Sequence, residues 1–195
     1  MHLFFSTPVW ASQIENYNKV NKDILNYIFN LQKKDPVGIV KSNFHGWHSH
    51  DFNLKDEAPK NFIKAVEQNI NKALNDMDWD LNKQDVKISS IWAIINEQGA
   101  FNQKHHHGNS DLSAAYYVSA HEKCGDIVFY DPRPAPVYKH PKSKSPNILN
   151  ASVNSIKPKE GFLVLFPSYL EHSVKPNLSG EKRIVISFNI SLENK

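Results

Sequence analysis

Three histidines in a row, His105, His106 and His107, stand in the stretch "NQKHHHGNSDLSAAYYV", immediately before a run that reads as a β-strand. In an extended segment, side chains two apart share a face. His105 and His107 therefore point together, and His106 points the other way. A neutral imidazole is a good ligand for iron, zinc, copper or nickel, and two imidazoles on one face can occupy two adjacent coordination positions. A histidine triplet alone is more often a solvated polar loop, so distant partners decide the matter. His172 follows the apolar run "FLVLFPS" in "YLEHSVKP", where a turn is expected. A third histidine arriving from a distant strand completes a mononuclear set. Arg183 then leads into "IVISFNI", a run apolar enough to be buried. A buried arginine without an anionic partner is costly, so its position predicts one.

The elements that must position these residues divide the chain in two. Ile14, Tyr17, Val20, Ile24, Ile28 and Leu31 recur at helical spacing and predict an amphipathic helix over 14–33, stopped by Pro36 and Gly38. A second helix is expected from Pro59 to Met77, with Phe62, Ile63, Val66, Ile70, Ala73 and Leu74 on its apolar face. Between them "SNFHGWHSHDFNL" reads as irregular and aromatic. After Trp79 the character changes to short β-branched and aromatic runs: "VKISSIWAII", "LSAAYYVS", "DIVFYD", "FLVLFPS" and "RIVISFNISL". No helical pattern separates them, which favours an antiparallel core over parallel βαβ units. The Pro-, Lys- and Ser-rich residues 133–150 read as a long exposed loop. The expectation is a single domain over 1–195, mainly β, with a helical part to about residue 80 packed on a β core over about 81–195.

Bulk properties exclude several classes. The chain has 195 residues, of which 40% are hydrophobic and 22% charged, with a net charge of +3. Its basic residues are scattered apart from Lys139 to Lys144, so there is no clear nucleic-acid footprint. One cysteine, Cys124, excludes an intrachain disulfide framework and points to a reducing compartment. No apolar run reaches the length of a membrane span, and "MHLFFSTPVW" does not read as a signal peptide. A cytoplasmic location follows as the expectation. Oligomeric state has no signature in the sequence.

At this level of detail the chain resembles a known family. "FFSTPVW", "GWHS" at 46–49, "NEQGAFNQKHHHGNSDLSAAYYV", "GDIVFYDPR" and "GFLVLFPSYLEHSVKPNLSGEKRIVISFN" are similar, in order and over most of the chain, to the Fe(II)- and 2-oxoglutarate-dependent oxygenases. Within that superfamily they look like the small prolyl-hydroxylase-like members found in marine bacteria and phages. The resemblance implies a double-stranded β-helix of the jelly-roll or cupin-like kind, with the N-terminal helices packed on it. It implies Fe(II) as cofactor, with 2-oxoglutarate and O2 as cosubstrates. It also implies hydroxylation of an unidentified substrate with release of succinate and CO2. By the same resemblance His105 and His172 are iron ligands, and Arg183, eleven residues past His172, anchors the far carboxylate of 2-oxoglutarate. A guanidinium fork grips a carboxylate in bidentate fashion.

The departure from the family pattern is at position 107, where a carboxylate is usual and this chain has histidine. Three readings stand open: His107 ligates, Asp111 swings in, or water fills the position. His107 is preferred because it needs no loop rearrangement. Further candidates are Asn96, Asn102, Tyr116 and Ser187 around the cosubstrate, with Trp47 and Arg133 toward the substrate; His48 and His50 are candidates for the same rim as Trp47, against an aromatic loop packed on the helices. Tyr116 and Tyr117 alternate faces, so one of the two points inward. Asp131 is another acid near the site in this reading. Two rival functions remain: a three-histidine cupin-type dioxygenase that uses no 2-oxoglutarate, and a non-catalytic metal-binding β-sandwich module.

Overall fold

The computed structural model describes residues 2–133 and 141–195. In chain order the elements are β1 (Trp10–Gln13), α1 (Tyr17–Lys34), β2 (Asn43–Phe44), β3 (Trp47–His48), α2 (Glu57–Asp76), β4 (Gln84–Asn96) and β5 (Phe101–His105). There follow β6 (Leu112–Ser119), β7 (Ile127–Tyr130), β8 (Val153–Ile156), β9 (Phe162–Pro167), β10 (His172–Val174) and β11 (Arg183–Asn194). All recorded pairings are antiparallel. A six-stranded sheet runs β1-β9-β6-β11-β4-β3 and a five-stranded sheet runs β2-β5-β10-β7-β8. The eight strands β4 to β11 thus pass back and forth between two facing sheets, broken only by the β7–β8 hairpin within the smaller one, which is the topology of a double-stranded β-helix.

The larger sheet is covered on both sides, which explains why its strands lack polar alternation. Ile91, Ala93 and Ile95 of β4, with Ile184, Ile186 and Phe188 of β11, face the helices and join Ile24, Ile28, Phe62 and Val66 in one core. The alternate residues of the same strands face the smaller sheet, where Val164, Phe166, Val185 and Phe129 form a second core. Phe62 packs edge-on against Tyr116 and Phe188, with ring centroids 5.1 and 6.0 Å away. Truncating such a buried aromatic to alanine costs about 3–5 kcal/mol.

Helix α1 ends as its sequence predicts. Lys33 and Lys34 lie in its last turn, where they complement the helix dipole, and the Asp35 carboxylate accepts a hydrogen bond from the Gly38 N–H. The N-terminal part differs from a purely helical unit: β1, β2 and β3 extend both sheets. Two- and four-residue strands show no hydrophobic period and leave no mark in a pattern search. The expected loop over 133–150 falls partly on residues 134–140, outside the described residues.

Candidate metal centre

Strand register brings two of the three histidines together. His172, the first residue of β10, pairs directly with His105, the last of β5. Their ring centroids are 4.3 Å apart. His107 lies two residues beyond the end of β5, with its ring 5.1 Å from His105 and 5.3 Å from His172. One ring nitrogen from each falls within 4.8 Å of the others. Among the described residues this is the one cluster of three such ligands.

Hydrogen bonds fix the rings for coordination. His105 Nδ1 lies 2.7 Å from the Gln103 carbonyl oxygen, and His172 Nδ1 lies 2.9 Å from that of Leu170. A carbonyl only accepts, so both Nδ1 atoms carry the proton and both Nε2 lone pairs are free. This is the arrangement that metal-ligating histidines use. The electrostatics agree. Burial first, and the adjacent His105 second, push His107 down to about 4 and His172 to about 3. Burial also lowers His105. All three are neutral at physiological pH, as ligation requires. Phe166 and Phe129 lie 4.6 and 6.2 Å from the His172 ring and form an apolar wall on its flank. His106 is exposed and stands outside the cluster.

The histidines open into a cavity of about 710 Å³ that also contains Arg183, within the range of small-molecule sites. Arg183 is 1% exposed. Its Nη1 donates to the carbonyls of Cys124, Gly125 and Lys175, the last two at 3.2 Å. Its Nη2 is buried with no hydrogen-bond partner, and among the described residues no carboxylate pairs with it. Burial lowers its pKa. Gly125 permits this approach: its φ is +93°, and a Cβ there would meet the Lys175 carbonyl oxygen and lie 2.6 Å from Arg183 Nη1. Asn96 is paired with Arg183 across β4 and β11. Its Nδ2 donates to Asn102 Oδ1 at 3.1 Å, and its Oδ1 is buried without a partner. Ser187 and Asn102 line the same cavity.

Five expected residues stand elsewhere. Tyr116 points to the helices, where its hydroxyl donates to Asn21 Oδ1 at 2.6 Å; Tyr117 is the tyrosine that lines the cavity. The sequence carried a signal for this, because Tyr117 shares its strand face with Ser113 and Ser119, the more polar register of β6. Trp47 is buried toward α1 and donates from Nε1 to the Asp35 carbonyl at 2.8 Å. Its neighbour His48 faces the cavity instead, stacked on Trp92 with 9° between the rings. Arg133 grips Asp131 with Nε at 3.0 Å and Nη2 at 2.8 Å, in a separate groove with Leu3, Phe4 and Phe5. Asp111 is exposed, and its carboxylate accepts from the Leu192 N–H at 2.7 Å, outside the histidine cluster. His50, expected beside His48 at the substrate rim, lines the cavity with it. The residues missed entirely are Trp92 and Gly125. Their roles depend on sheet register and close approach, which no local pattern encodes.

Comparisons with known proteins agree with this geometry. Residues 90–189, just over half of the chain, match the family described as "Putative 2OG-Fe(II) oxygenase". A Pseudomonas putida prolyl-4-hydroxylase superposes with a TM-score of 0.69 at 14% identity, over 95% of this chain and 93% of that one. The viral collagen prolyl hydroxylase of Paramecium Bursaria Chlorella virus-1, solved as a 2OG complex, gives 0.59 at 15% identity, over 93% and 95%. The α-ketoglutarate-dependent epimerase SnoN from nogalamycin biosynthesis gives 0.68 at 12% identity, over 94% and 77%. At these identities the likeness is one of fold. No curated protein matches this sequence. Among the described residues no helix is long and apolar enough to cross a membrane.

Proposed function

We propose a function from the premise that the chain belongs to the 2OG-Fe(II) oxygenase family: it is an Fe(II)- and 2-oxoglutarate-dependent oxygenase that hydroxylates its substrate. His105, His107 and His172 hold the iron, and Arg183 holds the far carboxylate of 2-oxoglutarate. One observation carries the reading. A guanidinium 1% exposed, with Nη2 lacking any partner, lines the cavity of the three neutral imidazoles. A buried cation without a counter-charge is costly; a dicarboxylate that enters this cavity supplies the missing acceptor.

When bound, iron and 2-oxoglutarate supply the oxidative decarboxylation that activates O2. The chain's own residues bind, orient and shield. The Gln103 and Leu170 carbonyls fix the tautomers of His105 and His172. Phe129 and Phe166 keep water from the His172 side. Tyr117, whose pKa is raised by burial, remains a neutral phenol beside Arg183 and can donate to the same carboxylate. Hydroxylation is the outcome proposed, being the activity in the names of the two prolyl hydroxylases, and release of succinate and CO2 belongs to the same reading; SnoN puts an epimerase on the same fold. A cytoplasmic setting belongs to the same reading and is supported by the single buried, unbridged Cys124.

A cupin-type dioxygenase without 2-oxoglutarate and a non-catalytic metal module both leave the buried Arg183 Nη2 without an acceptor. The test is anaerobic titration of the Fe(II) protein with 2-oxoglutarate, followed by a succinate assay in air. A metal-to-ligand absorption band and succinate formation are expected. Iron binding without any 2-oxoglutarate band rejects the reading.

A further inference from the structure

His107 lies beyond the hydrogen-bonded end of β5, so strand geometry does not hold it. Its N–H donates to the Ser168 carbonyl at 2.9 Å. The Ser168 N–H in turn donates to the Asp111 carbonyl at 3.0 Å. One residue thus clips the 107–111 loop near both ends. Ser168 belongs to no strand itself: β9 stops at Pro167 and β10 starts at His172.

Something must therefore hold Ser168, and a buried polar ladder does. Ser168 is 0% exposed and its Oγ lies 2.8 Å from Ser113 Oγ. Ser113 Oγ donates to Asn189 Oδ1 at 2.8 Å, and Asn189 Nδ2 donates to Ser90 Oγ at 3.0 Å. The direction is determined. Ser113 has one hydroxyl proton and spends it on Asn189, so Ser168 must be the donor to Ser113. Asn189 sits opposite Ser90 on one side and Ser113 on the other, so the ladder crosses β4, β11 and β6 in register. Such a network is high-stakes in a low-dielectric interior, because each lost partner leaves a buried polar atom unsatisfied.

We infer that Ser168, held by Ser113 and Asn189, is the positioning residue for His107 and so sets the third ligand of the metal centre. The inference rests on the reading of His107 as a ligand. Partners outside the ligand sphere commonly contribute 10–100-fold in metal affinity, and here the contact is through the backbone of the ligand itself.

The test uses the full chain and Co(II), with affinity measured by chelator competition and geometry by the visible d–d spectrum. Ser168→Ala and, independently, Ser113→Ala should each weaken Co(II) binding about 10–100-fold and change the spectrum. Ser49→Ala is the control: Ser49 is also buried, and its hydroxyl donates to the His50 carbonyl and accepts from the Ala93 N–H, outside the Ser168–Ser113–Asn189 ladder, while the backbone carbonyl that bonds His48 is left in place. It should leave affinity and spectrum as in the wild type. In a His107→Ala background, Ser168→Ala should cause no further loss, since coupled residues are non-additive. Wild-type affinity and spectrum in both Ser168→Ala and Ser113→Ala overturn the inference, as does full additivity with His107→Ala. If His107→Ala alone binds Co(II) like the wild type, the ligand assignment itself falls.

Discussion

Replacing Arg183 separates two roles that its geometry combines. Nη1 satisfies three backbone carbonyls, of Cys124, Gly125 and Lys175, while Nη2 has no partner. Arg183→Ala removes both sets of donors. Each orphaned buried acceptor costs about 1–3 kcal/mol, so the apo protein should lose several kcal/mol, offset in part by deletion of a buried charge. Breaking a buried ion pair costs about 3–5 kcal/mol. At about 1.4 kcal/mol per tenfold, 2-oxoglutarate affinity should fall by roughly two to three and a half orders of magnitude. Arg183→Lys is the sharper probe. An ammonium still carries the charge and up to three donors for the carbonyls, but it loses the fork. Apo stability should stay near wild type, while loss of one charge-assisted hydrogen bond of about 1.5–3 kcal/mol weakens 2-oxoglutarate about 10- to 150-fold. Chemical denaturation of the apo protein reads the first quantity. Anaerobic titration of the metal-to-ligand band reads the second. Unchanged 2-oxoglutarate affinity in Arg183→Lys and Arg183→Ala, with iron bound, would refute the anchor.

Other consequences follow from the same site. His105→Ala and His172→Ala should each abolish stoichiometric Fe(II) binding measured by equilibrium dialysis, whereas His106→Ala, at an exposed position, should be silent. His107→Ala should cost more iron affinity than Asp111→Ala, because the Asp111 carboxylate is engaged with the Leu192 N–H; the reverse order would establish a carboxylate site. Gly125→Ala should weaken 2-oxoglutarate without changing iron affinity, since the new Cβ crowds Arg183 Nη1 and the Lys175 carbonyl. The pH dependence has a definite sign. His107 and His172 titrate at about 4 and about 3 in the folded apo protein, below the ordinary 6.5. The unfolded chain binds more protons in that interval. Stability is therefore fully present above pH 6.5 and falls as pH drops toward 4 and 3, by at most about 1.4 kcal/mol per pH unit for each histidine. Urea denaturation of the apo protein between pH 4 and 7.5 checks this, and a flat profile contradicts it.

Much of the site was legible because its signals are local. A His-x-His pair at a strand end shares a face through the period of two, and the helices announced themselves through the 3.6-residue recurrence of Ile24, Ile28, Phe62 and Val66. The unbroken apolar character of "RIVISFNI" indicated a strand buried on one or both faces, and the structure covers both, with helices on one side and the second sheet on the other. The family resemblance linked His105, His172 and Arg183 across distances in sequence that periodicity cannot bridge.

What local pattern could not decide was register and approach. Tyr116 and Tyr117 are interchangeable as types; only the pairing of β6 with β11, and the polar strip along Ser113, sends Tyr117 inward. Trp47 and His48 are adjacent in an irregular-looking stretch, and two residues of pairing with β4 turn the tryptophan to the helices and the histidine to the cavity. Asp111 is four residues from His107 and chemically suited to iron, yet the Leu192 N–H, 81 residues away on β11, holds its carboxylate elsewhere. The sequence alone determined which residue types could do the chemistry and which elements carry them, because composition and periodicity are properties of neighbours along the chain. The tertiary structure decided which of them meet, because a slip of one residue in a strand reverses every side chain on it, and that slip is governed by partners far away in sequence.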